Sequence, residues 1–472
     1  MKNEGTEKVA QFIAETGYEH IPEEAVRTAK KAILDWVGVT IAGSNEPVTR
    51  IVSEQVRRMK AVGEAGVICK ALQTSADLAA WANGTASHSL DYDDTFSNEA
   101  GFNFHPTVAI LPAVLGLGEK IEASGREVLA SYIVGIESEY RIGAAIGPNA
   151  SKMGWHSTPV VGTMGAVAAS SKILRSNKEQ AQMALGIASS LAGGLLQNFG
   201  TMTKPLHAGN SARNGVVAAL LAQNGFTACE SVMEGNLGFC SMFSAGKVKG
   251  LEDHTEDLGK NWGIISPGMS FKPYPCCRST HSSIDASLYL RNAEGVDASQ
   301  VARIICKTSP HHTKLARFHK PKSAYEGKFS IPYCIATALL RGKVGLEEFT
   351  EEKVADREAQ VLLSKVEIQY PQEYIDNPMV LTGEVAVTLA NGAEYSCKID
   401  TPKGDFPNPM KDEELSAKFQ DCAHLFLAQT EIEKVLGIIH NLESLGNISE
   451  LMNRITYTTE SSEGGRRKDL HS

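Results

Sequence analysis

The sequence lacks the features that mark nucleic-acid-binding and membrane proteins. No block of Lys and Arg interleaved with aromatic residues occurs, and 46 basic against 55 acidic residues give a formal net charge of −9. No apolar run approaches the roughly 20 residues that span a bilayer. The opening MKNEGTEKVAQFIAETGYEH is too polar for a signal peptide. We therefore expect a soluble, cytoplasmic protein that binds neither nucleic acid nor a membrane.

The nine cysteines lack the spacing of a zinc site, since no C-x-x-C pair occurs among them. An odd count without a signal peptide predicts reduced thiols. Cys276 and Cys277 are adjacent, and small, partly buried side chains are a simpler interpretation of them than a metal or redox pair. The pair His311 and His312 has no third ligand near it in the sequence. No metal site is predicted.

Several common catalytic motifs are also missing. The sequence contains no G-x-S-x-G, no G-x-x-x-x-G-K-[ST], no H-E-x-x-H, and no predicted strand followed by G-x-G-x-x-G. The glycines of GNSARNG and LAGGLL lie in helical segments without a preceding strand, so they indicate close helix packing. These absences argue against serine-hydrolase, P-loop, zinc-protease and dinucleotide-binding chemistry.

What is present is a pattern typical of a globular, largely helical protein. The chain has 472 residues, 42% of them hydrophobic, which predicts roughly two or three domains. Most segments before residue 270 show apolar residues at helical spacing, as in IPEEAVRTAKKAILDWVGVTIAGS, which begins after Pro22 and ends at Gly43. Their Ala-rich and Gly-rich faces predict closely packed helices.

After residue 270 the pattern changes to alternation of apolar and polar residues. SQVARIICKTS and SKVEIQYP predict strands, and GEVAVTLANGAEYSCKI predicts a hairpin around Asn391 and Gly392. We therefore predict a mainly α protein with a large all-helical domain and a smaller α+β lid domain inserted in the chain. The predicted boundaries are 1–269 plus 404–458 for the helical domain, 270–403 for the lid, and 459–472 for a disordered tail.

The stretch HSLDYDDTFSNEAGFNFHP concentrates ionisable groups before an apolar helix. On the simplest interpretation, one of its three acidic residues, Asp91, Asp93 and Asp94, is the N-cap of that helix. On the functional interpretation Asp91 orients a histidine, whereas Asp93 only ends a helix. The stretch through His105 then forms one wall of a site.

Other His and Lys residues interrupt small-residue or apolar contexts at predicted helix starts and in Pro-containing loops. They are His156 in GWHSTPVVGT, Lys204 and His207 in TMTKPLHAGNSARNG, and Lys272 in SFKPYPCCRSTH. Each histidine alone is more simply a satisfied core residue. Together they would supply cations for an anionic substrate and imidazoles that titrate near neutrality. The set predicts a proton-transfer site.

The motifs HSLDYDDT with the later HP, GWHSTPVVGTMGAVAASSK, TKPLHAGNSARNG, KPYPCCRSTH and EGKFSIPYC resemble the MmgE/PrpD family. This family includes 2-methylcitrate dehydratase, cis-aconitate decarboxylase and iminodisuccinate epimerase. The resemblance covers residues 5 to 455. It implies a helical domain built from both ends of the chain, a smaller lid, a homodimer, and no organic cofactor or metal.

The resemblance also implies roles for individual residues. Catalytic positions of cis-aconitate decarboxylase correspond here to Asp91, His105, His156, Lys204 and Lys272. We predict that Thr95, His207 and Cys277 contact the substrate. Cys277 stands where the decarboxylase has a histidine.

From these residues we predict a cofactor-independent lyase, dehydratase-like, that removes water or CO₂ from a small di- or tricarboxylate. Lysines would stabilise charge on the carboxylate oxygens, while His105 or His156 acts as the base. Lid closure would exclude water. One alternative is an epimerase that inverts a carbon next to a carboxylate, and a second is a non-catalytic carboxylate-binding dimer.

Overall fold

The structure, a computed structural model, describes residues 4–97, 103–246 and 250–457. The described chain divides into two compact units. The first comprises residues 4–198, 203–270 and 411–457, and the second comprises 199–202 and 271–410, apart from the gaps just named. The predicted disordered tail, 459–472, lies outside the described residues. The prediction that the second unit acts as a lid stays a prediction, as does the cytoplasmic location.

The amino-terminal part of the first unit is built from twelve helices among the described residues. These are α1 (Gly5–Glu15), α2 (Glu23–Gly43), α3 (Pro47–Met59), α4 (Ala76–His88), α5 (Thr107–Lys120), α6 (Gly125–Ile146), α7 (Asn149–Lys152), α8 (Ser157–Ile173), α9 (Lys178–Ser189), α10 (Thr203–Gln223), α11 (Phe239–Phe243) and α12 (Leu251–Thr255). Helix α2 has the predicted signals, with Pro22 before its first turn and Gly43 at its end.

Small residues let the central helices of this unit approach closely. A Cβ atom on Gly84 of α4 would lie 3.0 Å from the Cα of Gly209 in α10. A Cβ atom on Gly215 of α10 would lie 2.6 Å from Ala166 of α8. A side chain at Gly215 would force the helices apart, and one at Gly84 would require a small shift of its neighbour, so glycine allows the close spacing of α4, α8 and α10. The predicted close packing of Gly-rich helices is thereby explained at these two crossings.

Five short strands accompany these helices, although the sequence predicted helix almost throughout this part. They are β1 (Ala65–Val67), β2 (Leu72–Thr74), β3 (Thr95–Ser97), β4 (Asn103–Phe104) and β5 (Met269–Ser270). β1 pairs with β2, and β3 lies between β4 and β5 in a second antiparallel sheet. Strands of two or three residues are too short to show a period-2 pattern. β3 directly follows the Asp-rich stretch.

The second unit is α+β, as predicted. Its helices are α13 (His281–Asn292), α14 (Pro310–Leu315), α15 (Ala324–Gly327), α16 (Ile331–Arg341), α17 (Glu351–Ala355), α18 (Arg357–Leu363) and α19 (Gln372–Asp376). Its strands are β6 (Val301–Lys307), β7 (Val366–Gln369), β8 (Gly383–Leu389) and β9 (Glu394–Ile399), in the order β7-β6-β8-β9.

The predicted hairpin around Asn391 and Gly392 is confirmed. β8 and β9 pair antiparallel in register from Gly383 with Ile399 to Thr388 with Glu394. Gly392 has a φ of 86°, a conformation that glycine adopts without steric cost. β6 pairs with β7 in parallel and with β8 antiparallel.

After the second unit the chain returns to the first through α20 (Asp412–Ala423), α21 (Gln429–His440) and α22 (Ser449–Thr456). The predicted fold class, mainly α with a small α+β part, is confirmed. None of the helices in the described parts of the chain is both long enough and apolar enough to cross a membrane.

Candidate active site

The Asp-rich stretch forms a buried turn between α4 and β3. Asp91, Asp93 and Asp94 are each at most 3% exposed. Asp91 has a φ of 53°, which is uncommon for a residue with a side chain. The N-cap residue of α5 is Pro106, which makes no side-chain capping bond. The carboxyl group of Asp94 nevertheless lies at the start of this helix, because it accepts hydrogen bonds from the hydroxyl and the backbone N–H of Thr107, the first residue of α5. Asp94 thus agrees with the expectation that one of these carboxylates caps α5.

Asp93 lies between two imidazoles. One carboxylate oxygen is 2.9 Å from Nδ1 of His88, and the other is 2.6 Å from Nδ1 of His105. Nδ1 of His105 also lies 3.0 Å from the carbonyl oxygen of Asp94. Because carbonyl and carboxylate oxygens only accept, the hydrogen of His105 belongs on Nδ1 and Nε2 is left as the basic nitrogen.

Asp91 joins Lys204 to the same imidazole. Its Oδ1 lies 2.6 Å from Nζ of Lys204 and 4.0 Å from Nε2 of His105. Lys204 stands in the first turn of α10 and is 3% exposed. His105 thus has a carboxylate near each ring nitrogen, an arrangement that stabilises a positive charge on its ring.

Two further histidines extend the site toward α8 and α10. His156 is the N-cap residue of α8, and His207 lies one turn after Lys204 in α10. Their Nδ1 atoms are 3.1 Å apart, so one ring donates a hydrogen bond to the other. The ring of His156 is stacked against that of His88, with 6.2 Å between the ring centroids. The first unit therefore gathers four imidazoles, two carboxylates and one ammonium, here called the histidine–aspartate cluster: His88, Asp91, Asp93, His105, His156, Lys204 and His207.

Burial keeps three of these imidazoles neutral. It lowers the pKa of His88 to about 4, although Asp93 acts in the opposite direction. Burial, with smaller contributions from the neighbouring His88 and Lys204, also lowers the pKa of His207 to about 4. The pKa of His156 lies well below its usual value because of burial and the Lys204 ammonium. Burial alone would raise the pKa of Asp93, but contacts with His88 and His105 hold it well below its usual value.

A second buried group begins at the next residue. Thr107 donates a hydrogen bond to Oδ2 of Asp94, and its hydroxyl is 2.6 Å from that of Tyr132. Oδ1 of Asp94 has no hydrogen-bond partner among the described residues, and the same holds for both carboxyl oxygens of Glu139. Burial raises the pKa of Asp94 and of Glu139 well above their usual values. We call Asp94, Thr107, Tyr132 and Glu139 the neutral acid group.

The histidine–aspartate cluster includes side chains that could in principle bind a metal ion. His88, Asp91, Asp93 and His105 each offer a ligand atom, and these atoms lie within 4.8 Å of one another. However, Asp93 contacts both imidazoles directly and Asp91 contacts Lys204. A metal ion would have to separate these pairs and approach the ammonium group. The direct contacts fit a hydrogen-bonded acid–base site whose cation is Lys204.

Six of the eight residues predicted for the site lie in the first unit. Asp91, His105, His156, Lys204 and His207 belong to the cluster described above, and Thr95 begins β3 next to Asp94. The Oγ1 atom of Thr95 is buried and has no hydrogen-bond partner in the parts of the chain that the structure describes.

The other two residues, Lys272 and Cys277, belong to the second unit and are buried there. The backbone N–H of Cys277 donates to the carbonyl oxygen of Lys328 at 2.9 Å. The catalytic role of Lys272 and the contact of Cys277 with the substrate stay predictions.

Sequence reasoning missed two members of the cluster. His88 was not among the predicted site residues, and Asp93 was expected only to end a helix. In the structure α4 ends at His88, five residues before Asp93, and these two side chains contact each other. The spacing H-x₄-D was visible in the sequence, but it does not show whether a turn points both side chains inward.

Two models of one protein family match successive parts of the chain. Residues 7–252 match the MmgE/PrpD N-terminal domain, and residues 274–444 match the MmgE/PrpD C-terminal domain. The chain is 30% identical over 457 residues to human cis-aconitate decarboxylase, covering 94% of this chain and 93% of the human protein.

Two fungal proteins are similar over comparable lengths. Cis-aconitate decarboxylase of Aspergillus terreus is 26% identical over 470 residues, covering 95% of each chain. The cis-aconitate decarboxylase-like protein oryM of Aspergillus oryzae is 27% identical, covering 95% of this chain and 96% of its own. Together with the two domain matches, these similarities show that the chain belongs to the MmgE/PrpD family.

Proposed function

We propose that this protein is a cofactor-independent lyase that removes CO₂ or water from a small di- or tricarboxylate by acid–base catalysis. The observation that carries the proposal is the position of Asp93 between His88 and His105, beside the Asp91–Lys204 pair. The names of the relatives favour loss of CO₂.

Lys204 provides the positive charge that such a reaction needs. When a proton or a carboxyl group leaves carbon, an electron pair is delocalised onto the oxygens of the neighbouring carboxylate. An ammonium in a buried site stabilises that charge far better than water does, because the surrounding dielectric constant is low. Lys204 is 3% exposed and is held by Asp91, so it is in place before the substrate binds.

His105 is the proton carrier in this proposal. With its hydrogen on Nδ1, Nε2 accepts a proton from the substrate carbon in a dehydration and then returns it to the hydroxyl group as the C–O bond breaks, so that water leaves. In a decarboxylation the protonated ring instead delivers a proton to the carbon from which CO₂ has left. Asp93 and Asp91 stabilise the charged ring in both cases. The three histidines with lowered pKa values stay neutral, and His156 then orients the substrate or hydrogen-bonds a leaving group.

Lys272 and Cys277 enter this proposal only through the resemblance. Lys272 would add a second positive charge near the substrate carboxylates. Cys277 stands where cis-aconitate decarboxylase has a histidine, so the reaction of this protein need not use a proton donor at that position. Substitution Cys277→His tests whether this position changes the product.

The test is proton NMR in deuterated water with a panel of ¹³C-labelled hydroxy, amino and unsaturated di- and tricarboxylates. New vinyl signals with labelled CO₂ released would support the decarboxylase, and new vinyl signals with all carbons retained would support the dehydratase. Deuterium entering one carbon of an intact skeleton would support the epimerase instead. If the purified protein left every acid unchanged, the proposal would be wrong, and tight binding without turnover would support the carboxylate-binding dimer.

We also propose that the protein is a homodimer, as its resemblance implies. Large apolar side chains are exposed around residues 191–242: Leu191 is 40% exposed, and Leu195 and Met242 are each 51% exposed. Exposed apolar side chains become buried where two protein surfaces meet, so these residues are candidates for the contact between the two protomers. Sedimentation of the wild type and of Leu195→Asp tests this, because the wild type should sediment as a dimer and the variant as a monomer.

A further inference from the structure

A buried ion pair from distant parts of the chain holds the turn that carries Asp91 and Asp93. Nζ of Lys418, in α20, lies 2.6 Å from Oδ1 of Asp35 in α2. The same Nζ donates a hydrogen bond of 2.7 Å to the carbonyl oxygen of Tyr92 and lies 3.9 Å from the centroid of its ring. Lys418 is 5% exposed and Asp35 is 2% exposed.

Tyr92 is the residue between the two carboxylates of the site. Its backbone carbonyl fixes the peptide that links Asp91, which pairs with Lys204, to Asp93, which contacts both imidazoles. Asp91 adopts a left-handed φ of 53°, a conformation that persists only where surrounding contacts hold it. The lysine that supplies such a contact is 326 residues away in the sequence.

General stability is a poor explanation for this pair. Replacing a buried ion pair by apolar side chains of similar volume is often neutral or stabilising, because the charges no longer have to be desolvated. An ammonium group donates hydrogen bonds and can therefore fix the position and direction of a carbonyl oxygen. An apolar side chain has no donor and cannot do this. The pair of Lys418 and Asp35 therefore fits a role in positioning the turn.

We propose that Lys418 and Asp35 are positioning residues for the reaction. They hold the carbonyl of Tyr92 so that Asp91 faces Lys204 and Asp93 faces His88 and His105. This inference rests on the proposed function for its effect on catalysis. Its geometric part can be measured without turnover.

The test replaces both charges at once, with Lys418→Met and Asp35→Leu in the same full-length protein, so that neither charge is left buried alone. A matched control is Lys30→Met with Glu443→Leu. Lys30 also lies on α2, pairs with Glu443 at 3.0 Å and donates to the carbonyl oxygen of His440 at 2.8 Å. Thermal melting, the pH profile of kcat/KM, and NMR of ¹³Cε1-labelled histidines are measured for each protein.

We expect the Lys418/Asp35 double variant to melt within a few degrees of the wild type and to lose about 10–100-fold in kcat/KM. Its pH profile should shift, and the signals of His88 and His105 should move while that of the exposed His20 does not. The control should keep the wild-type kcat/KM, pH profile and signals of His88 and His105. An unchanged pH profile and unchanged signals of His88 and His105 in a folded double variant would overturn the inference.

If the double variant does not fold, Asp35→Asn takes its place. This variant keeps Lys418 and its hydrogen bond to Tyr92 but replaces the ion pair between Lys418 and Asp35 by a weaker contact. The NMR signals of His88 and His105 should therefore move by a smaller amount. No movement in that variant also overturns the inference. If the wild type turns over no acid, the proposed function fails, while the histidine signals still decide whether the pair positions the turn.

Discussion

Asp93 and Asp94 are adjacent and equally buried, yet they belong to two regions with opposite charge states. Asp93 contacts two imidazoles, and its pKa lies well below the usual value. Asp94 accepts a hydrogen bond from the hydroxyl of Thr107, and its pKa lies well above the usual value because of burial. Burial alone therefore does not decide ionisation, since the partners of each carboxyl group do.

The histidine–aspartate cluster and the neutral acid group therefore have different roles around the site. In the histidine–aspartate cluster, ionised carboxylates hold imidazoles and an ammonium in place for proton transfer. In the neutral acid group, burial raises the pKa of Asp94 and of Glu139 and so favours their uncharged forms. The predictions below test this contrast once a substrate has been identified.

The largest expected effect comes from removing Lys204, the ammonium group of the histidine–aspartate cluster. Lys204→Met should lower kcat by about 10²–10³, by analogy with the loss of one donor to a developing oxyanion. Steady-state kinetics measures this effect. Lys178→Met is the control, because its exposed pair with Glu7 lies on the surface and its loss should leave kcat unchanged. Equal activity of Lys204→Met and the wild type would remove Lys204 from the mechanism.

The direct comparison is Asp93→Asn against Asp94→Asn. The amide at position 93 has no negative charge and only one accepting oxygen for the two imidazoles, so kcat/KM should fall about 10²-fold, within the range expected for general acid–base catalysis. An amide at position 94 resembles the protonated acid already present, and kcat/KM should stay within about threefold. Similar losses in both variants would contradict the contrast between the two regions.

Glu119, which lies outside the site, tests whether burial and hydrogen-bond partners also set the ionisation of another carboxyl group. It accepts a 2.9 Å hydrogen bond from the backbone N–H of Gly66, and burial raises its pKa to about 7. Since the folded pKa exceeds the unfolded one, its contribution to stability is full below pH 4.5 and is lost as the pH rises toward 7. Glu119→Gln should therefore increase the free energy of unfolding at pH 8 by about 1–3 kcal/mol.

Urea unfolding at pH 4.5 and at pH 8 measures the effect of Glu119→Gln. The two proteins should differ much less at the lower pH, where the folded carboxyl group is protonated and the unfolded one is about half protonated. The reverse dependence, with a larger gain at pH 4.5, would mean that Glu119 is ionised in the folded protein.

The smallest expected effect is that of Glu139→Gln. Its carboxyl group is protonated and has no hydrogen-bond partner in the described chain, so a neutral amide of the same size changes little. We expect kcat/KM to stay within about threefold of the wild type. A loss of about 10²-fold would show that Glu139 takes part in proton transfer, at the level expected of a general acid or base.

Local patterns account for the parts of the fold that the sequence predicted. The helical spacing in residues 22–43, the alternation in 301–307, and the turn at Asn391 and Gly392 all depend on neighbouring residues, and each element formed as expected. Strands β1 to β5 were not predicted because two or three residues show no period. Their pairing depends on residues elsewhere in the chain.

The order of amino acids alone shows that ionisable residues lie at predicted helix ends and loops in an otherwise small-residue, helical chain. It placed Asp91, His105, His156, Lys204 and His207 among the candidates. The tertiary structure decided which carboxylate meets which partner, because the directions of Asp91, Asp93 and Asp94 depend on one turn with a left-handed residue. That turn is fixed by Lys418, at a distance along the chain that no local pattern reveals.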